Sequence, residues 1–165
     1  MRVLIDANVL VSALLTRRAG KTSLVEWLVF VALISQRRFV LVTSDPLVYE
    51  VREVLLRRGV TEFDADRYID SLTRYATFVR IYGVPMGCPD ADDDMVLETA
   101  LNANADVVVS RDADLFHPRS LQMIQKTGIG IRDRPIRVLG VREFVDELTG
   151  VPRFSPLVLP ATLAA

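Results

Sequence analysis

The stretch Arg2-Val3-Leu4-Ile5-Asp6-Ala7-Asn8-Val9-Leu10 decides how the rest of the chain is read. Val3, Leu4 and Ile5 form a short, partly β-branched apolar run that stops at a carboxylate. This is the pattern of a parallel strand buried on both faces whose last side chain emerges at the sheet edge. Ligands of open α/β sheets sit just beyond the carboxyl ends of the strands, so Asp6 stands where chemistry is expected. Asp6 or Asn8 equally suits the simpler task of capping the helix that begins near Val9, and this stretch alone leaves the two roles open.

Outward from it, a helix is expected over Val9 to Leu15, broken by the basic loop Arg17-Arg18-Ala19-Gly20-Lys21. A second runs from Thr22 or Ser23 to Ser35 and is apolar nearly all round, the mark of a helix buried in a core or under a partner. Phe39 to Thr43 reads as the second strand, and Ser44-Asp45-Pro46 opens a helix to about Arg58 with a capping residue followed by proline at the first helical position. Glu50 sits at the border of that helix's apolar stripe, which places its carboxylate along a buried edge instead of in bulk solvent. A helix over Asp64 to Phe78, a short strand at Val79 to Tyr82, a helix after the acidic run at residues 90–94, and a fourth strand at Asp106 to Ser110 follow. His117 to Arg134 is irregular, Ile136 to Leu139 is a fifth strand and Val141 to Leu148 a last helix. Helices alternating with strands imply a central parallel sheet of about five strands covered on both faces through right-handed crossovers.

The 165 residues fit one domain. It is expected over residues 1–150, followed by a Pro-containing apolar tail over 151–165. Half of the residues are hydrophobic and a quarter charged, which excludes a disordered chain. A net charge of −1 gives no strong global field. The 18 Arg against 2 Lys suit phosphate recognition, but a GC-rich genome gives the same bias and is the preferred explanation. Cys88 is alone, so no internal disulfide forms, and a reducing, cytoplasmic location is expected. Asp6 and Asn8 interrupt what would be a signal peptide's apolar stretch. The longest apolar run, Trp27 to Ile34, is too short to span a membrane.

The densest charge is Pro89-Asp90-Ala91-Asp92-Asp93-Asp94. The helix dipole accounts for one or two acids in a first turn. Four within five residues repel one another, and a divalent cation relieves that repulsion most directly. The fourth strand also runs into acids, at Ser110-Arg111-Asp112-Ala113-Asp114. Asp6 and Asp112 at strand ends, with Glu50 and Asp93 at helix edges, offer only oxygen ligands. One His117 and one Cys88 exclude a zinc site of the usual nitrogen and sulfur type, and the set suits Mg²⁺ or Mn²⁺.

In this order the motifs resemble a PIN-domain ribonuclease, in particular the toxins of bacterial toxin-antitoxin pairs related to VapC. The resemblance covers roughly Met1 to Gly150. It rests on Val3-Leu4-Ile5-Asp6-Ala7-Asn8, on Glu50 within Ser44-Asp45-Pro46-Leu47-Val48-Tyr49-Glu50, on the acidic run into Met95-Val96-Leu97, and on Ser110-Arg111-Asp112-Ala113-Asp114-Leu115. It implies metal-dependent hydrolysis of RNA phosphodiesters to 5′-phosphate and 3′-hydroxyl ends. Asp6, Glu50, Asp93 and Asp112 would be the catalytic residues and metal ligands, with Asp94, Asp90 and Asp114 as alternatives. Asn8 and Ser110 would orient them, and Arg17, Arg18, Lys21, Arg52 and Arg111 would form a cationic rim for RNA, although a solvated face is the commoner role of such charges. A cognate antitoxin protein is the implied partner.

Two other acid-pocket families fit less well. A haloacid-dehalogenase phosphatase needs an aspartate where this chain has Asn8, and a receiver domain needs one after the third strand. A PIN-like module that binds RNA or protein without cutting, and a housekeeping RNA-processing nuclease, remain as alternatives. The helix over Ser23 to Ser35 also predicts a homodimer: with Leu24, Trp27, Phe30, Val31 and Ile34 facing inward, Val25, Leu28, Val29, Ala32 and Leu33 are left for an interface.

Overall fold

The computed structural model describes residues 1–128 and 135–150. Strands β1 (Arg2–Ile5), β2 (Val40–Thr43), β3 (Thr77–Phe78), β4 (Val107–Val109) and β5 (Arg137–Leu139) form one all-parallel sheet in the order β3-β2-β1-β4-β5. The central β1 pairs Val3 with Leu41 on one side and with Val107 on the other. Its apolar run divides by parity, as side chains alternate across a strand. Val3, Ile5, Leu41, Val107 and Val109 enter one core layer, and Leu4, Val42 and Val108 enter the opposite one. Both faces are therefore apolar, which is why the strands show no polar alternation.

Among the described residues seven helices cover the sheet: α1 (Ala7–Arg18), α2 (Leu24–Glu26, continuing as a π-helix over Trp27–Ser35), α3 (Asp45–Arg57), α4 (Glu62–Thr73), α5 (Asp94–Asn102), α6 (Pro118–Gly128) and α7 (Val141–Thr149). Residues of α1, α2, α4 and α7 share the layer of Val3 and Ile5, and residues of α5 and α6 share that of Leu4. The buried Tyr68 hydroxyl on α4 donates to the Leu10 carbonyl at 2.7 Å and ties α4 to α1.

Three expectations are corrected. The third strand is Thr77–Phe78 and not Val79 to Tyr82, and the helix before it stops at Thr73. Val79 only closes the ladder, its N–H donating to the Thr43 carbonyl at 2.9 Å. The segment after His117 is a helix, not irregular: His117 is extended and Pro118 takes the first helical position, where its missing N–H costs nothing. The apolar surplus of α2 is not left for an interface either. Val25, Leu28, Val29, Ala32 and Leu33 are all buried within the chain, while Leu24, Phe30, Val31 and Ile34 are the half-buried ones. The winding explains the reversal. The Gln36 N–H reaches back five residues to the Val31 carbonyl at 2.8 Å, so the helix follows a period other than the α period from which its faces were read. The tail over 151–165 lies outside the described residues.

After β3 the chain runs back along α5, held at three points by side chains four residues apart on one face of that helix. Asn102 Nδ2 donates to the Arg80 carbonyl at 2.9 Å. The buried Glu98 carboxylate accepts from the N–H groups of Tyr82, Gly83 and Val84 at 2.7, 2.9 and 3.0 Å. Asp94 Oδ1 accepts from the Cys88 N–H at 2.9 Å.

Candidate metal centre

The chain leaves β1 toward β2 and β3 on one side and returns through β4 on the other, so the direction of strand succession reverses between β1 and β4. The crevice at such a reversal, beyond the carboxyl ends of the strands, is where open α/β sheets place ligands. Asp6 lies there. Its N–H donates to the Val109 carbonyl at 3.0 Å, extending the ladder by one residue. Asp6 is the N-cap residue of α1, and its side chain makes no capping hydrogen bond to that helix. Instead, Asp6 Oδ2 accepts from Ser110 Oγ at 2.5 Å, and Ser110 Oγ accepts from the Asp112 N–H at 2.9 Å. The fully buried Ser110 thus links the acids that end β1 and follow β4. Burial pushes the Asp6 carboxyl up from its ordinary value, the Ser110 hydrogen bond opposes this, and the nearby charge of Asp112 adds to it.

Asp93, Asp112 and Asp114 each present a carboxylate oxygen within 4.8 Å of the others. Asp112 Oδ1 accepts the Asp114 N–H at 3.0 Å, which folds the loop so that both acids face the same space. Asp93 comes from the 3₁₀ turn Ala91–Asp93 that leads into α5. Its Oδ2 is buried and has no hydrogen-bond partner. Burial, followed by the charges of Asp112, Asp6, Asp90 and Asp114, pushes the Asp93 carboxyl up to about 7.

The structure separates the neighbours of Asp93. Asp94 is committed to the Cys88 N–H, and the exposed Asp90 accepts the Asp92 N–H at 3.0 Å. Glu50 stands at the rim, half-buried. Burial raises its pKa, the charges of Asp6 and Asp92 raise it further and Arg57 opposes them. It is outside the group of three but shares the electrostatic field of Asp6. Asn8 is exposed and lines a groove together with Glu50. Burial pushes the Cys88 thiol up to about 11, and the exposed His117 accepts the Arg119 N–H. Both lie outside the group of three, whose donors are all carboxylate oxygens. An unpartnered buried carboxylate oxygen among like charges is what a divalent cation would satisfy.

A PIN-domain family model matches residues 2–114. The chain belongs to the PIN-domain family. The match spans β1 through Asp114 and so includes every acid described above. No curated protein and no solved structure gives a match. PIN domains are generally nucleases that act on RNA with divalent metals, and the acidic group of this PIN domain is able to hold one. No helix among the described residues is long and apolar enough to cross a membrane.

Of the cations expected at the rim of this PIN domain, three are engaged elsewhere. Arg17 pairs with the buried Glu26 at 3.0 Å and lies over the Phe30 ring. Arg18 pairs with Asp64 at 2.6 Å, and Arg52 with Asp66 at 2.7 Å. Arg111 donates to Ser12 Oγ at 3.2 Å, on the first half of α1. The role of Glu98 was missed in the sequence. The available signal was the four-residue spacing of Asp94, Glu98 and Asn102 along α5.

Proposed function

We propose that this PIN domain is a Mg²⁺- or Mn²⁺-dependent endoribonuclease and serves as the toxin of a toxin-antitoxin pair of the VapC-related kind. The observation that carries the reading is the buried, unpartnered Asp93 carboxylate oxygen among Asp6, Asp112 and Asp114 at the sheet's reversal point. Asp6, Glu50, Asp93 and Asp112 would hold the cation, with Asp114 adjoining them. When bound, it would lower the pKa of the attacking water and offset charge on the phosphate and the leaving oxygen.

The residues of the chain supply position and charge. Ser110 fixes the Asp6 carboxylate and the Asp112 backbone to one oxygen, so the two acids cannot drift apart under their mutual repulsion. Burial and the neighbouring carboxylates favour the protonated form of Asp93, and a bound cation would displace that proton. Asn8 and Arg111 stand at the mouth, where a phosphate arrives. Water adds to phosphorus and gives up a proton, the bond from phosphorus to the 3′ oxygen breaks, that oxygen takes up a proton, and the products carry 5′-phosphate and 3′-hydroxyl ends.

The test is cleavage of unstructured RNA with and without Mn²⁺, comparing wild type with Asp6→Asn. Metal-dependent cutting that the variant loses, with its fold intact, is the expected result. RNA bound but uncut by the wild type would make the domain a binding module. For the toxin role, induction in a bacterial host should arrest growth for the wild type and not for Asp6→Asn. Unimpaired growth with active enzyme present would leave a housekeeping nuclease.

A further inference from the structure

Beside the acids lies an open groove of about 490 Å³ between α1 and α3. Asn8, Ser12 and Thr16 line it from α1, Glu50 and Arg58 line it from α3 and the residue after it, and Lys21 is at its far end. Residues four apart stack along one face of a helix, so the groove runs lengthwise between the helices and its chemistry changes along its course. Glu50 and Asn8 mark the end beside the acids, Ser12 stands midway, and Thr16, Lys21 and Arg58 are at the other end. Eight residues separate Asn8 from Thr16 and Glu50 from Arg58, a distance of about 12 Å at ~1.5 Å per residue. That is roughly three or four nucleotides at the stacked spacing of ~3.4 Å. The volume is that of a pocket for a small ligand, room for a few nucleotides of one strand and not for a duplex.

The neighbouring cations Arg17, Arg18 and Arg52 are held by carboxylates, whereas Lys21 and Arg58 have no carboxylate partner among the described residues. An acidic centre repels a polyanion, so a substrate strand needs counter-charge at a distance from the cleaved bond. Resting on the nuclease reading, we infer that this groove holds the single-stranded RNA leading away from that bond. Lys21 and Arg58 neutralise its backbone phosphates, and Ser12 and Thr16 donate hydrogen bonds along its course. Arg58 carries no signal in the sequence beyond being one of several arginines. Only the pairing of α1 with α3 brings it opposite Lys21.

The experiment titrates NaCl against the binding of a fluorescein-labelled, unstructured ten-nucleotide RNA to the full chain carrying Asp6→Asn, in millimolar Mn²⁺. Neutralising two phosphates on a single strand contributes about 1.4 to the slope of log Kd against log salt, at ~0.7 per contact. Adding Lys21→Gln and Arg58→Gln should remove that amount and weaken binding at least tenfold. Arg18→Gln, which deletes a cation held by Asp64, should leave the slope as it was. An unchanged slope in the double variant overturns the inference, as does an equal loss in Arg18→Gln or a failure to bind RNA at all. Wild-type cleavage in Mn²⁺ with an unchanged slope sinks the groove and spares the nuclease. The expected slope change without wild-type cleavage does the reverse.

Discussion

Replacing Asp93 by asparagine should stabilise the metal-free protein at neutral pH while removing its response to metal. The Asp93 carboxyl is raised from 3.8 to about 7, chiefly by burial and then by Asp112 and Asp6. Below pH 3.8 both the folded and the unfolded chain hold this proton. Between 3.8 and about 7 the folded state binds more of it, so stability falls as pH rises through that window and levels off above it. A rise of three units would correspond to about 4 kcal/mol at ~1.36 kcal/mol per unit. Asp93 keeps some solvent contact, and screening reduces this to about 1–2 kcal/mol. For a chain of this size that is a Tm difference of about 3–6 °C. Thermal melts in EDTA at pH 5.0 and 7.5 measure it. Wild type should lose stability between the two pH values, and Asp93→Asn should lose less and melt higher at pH 7.5. Asp64 and Asp66, lowered by Arg18 and Arg52, act below this window and do not interfere. Equal pH dependence in the two proteins, or a mutant that melts lower at pH 7.5, would refute the account of Asp93 as a charge held against its preference. With Mn²⁺ present the order should reverse, because only the wild type offers that carboxylate as a ligand.

Millimolar Mn²⁺ or Mg²⁺ should raise the wild-type Tm, by the equivalent of about 2.7 kcal/mol at a hundred times Kd; EDTA should undo the rise, and Zn²⁺ should not be required for cleavage. Glu98→Gln places an amide against the Tyr82, Gly83 and Val84 N–H groups and should cost about 1–3 kcal/mol. Hydrogen exchange should speed up at those three amides before the global transition, and uniform protection would argue against the clasp. Tyr68→Phe deletes the bond to the Leu10 carbonyl and should cost about 1 kcal/mol with cleavage unchanged, which chemical denaturation and the RNA assay check together.

The sequence by itself determined the elements whose signal is local. Val3-Leu4-Ile5 and Val107-Val108-Val109 read as strands buried on both faces because no polar residue interrupts them, and Ser44-Asp45-Pro46 announced the start of α3, although the helix opens at Asp45 and the Ser44 hydroxyl pairs with Thr99 instead of capping it. The acids at the ends of β1 and β4 were visible for the same reason, since a carboxylate that terminates an apolar run marks a strand's edge. Thr77–Phe78 and the helix from Pro118 were not legible: two residues define no period, and that helix offers few apolar residues, Leu121, Met123 and Ile124, from which to read one. The sequence favoured Asp93 over Asp94 as a ligand, and the tertiary structure decided what each of the two touches. The two acids are adjacent in the chain, but adjacent helical positions point about 100° apart. One faces the reversal point beside Asp112, and the other faces the returning chain at Cys88. It likewise decided the fate of α2. Composition showed a helix apolar all round, but whether that surface meets a partner or its own domain depends on how many neighbours enclose it. In this chain α1, α4 and α7 share its core layer. Periodicity states which side chains leave water, and only the packed arrangement states what they touch when they do.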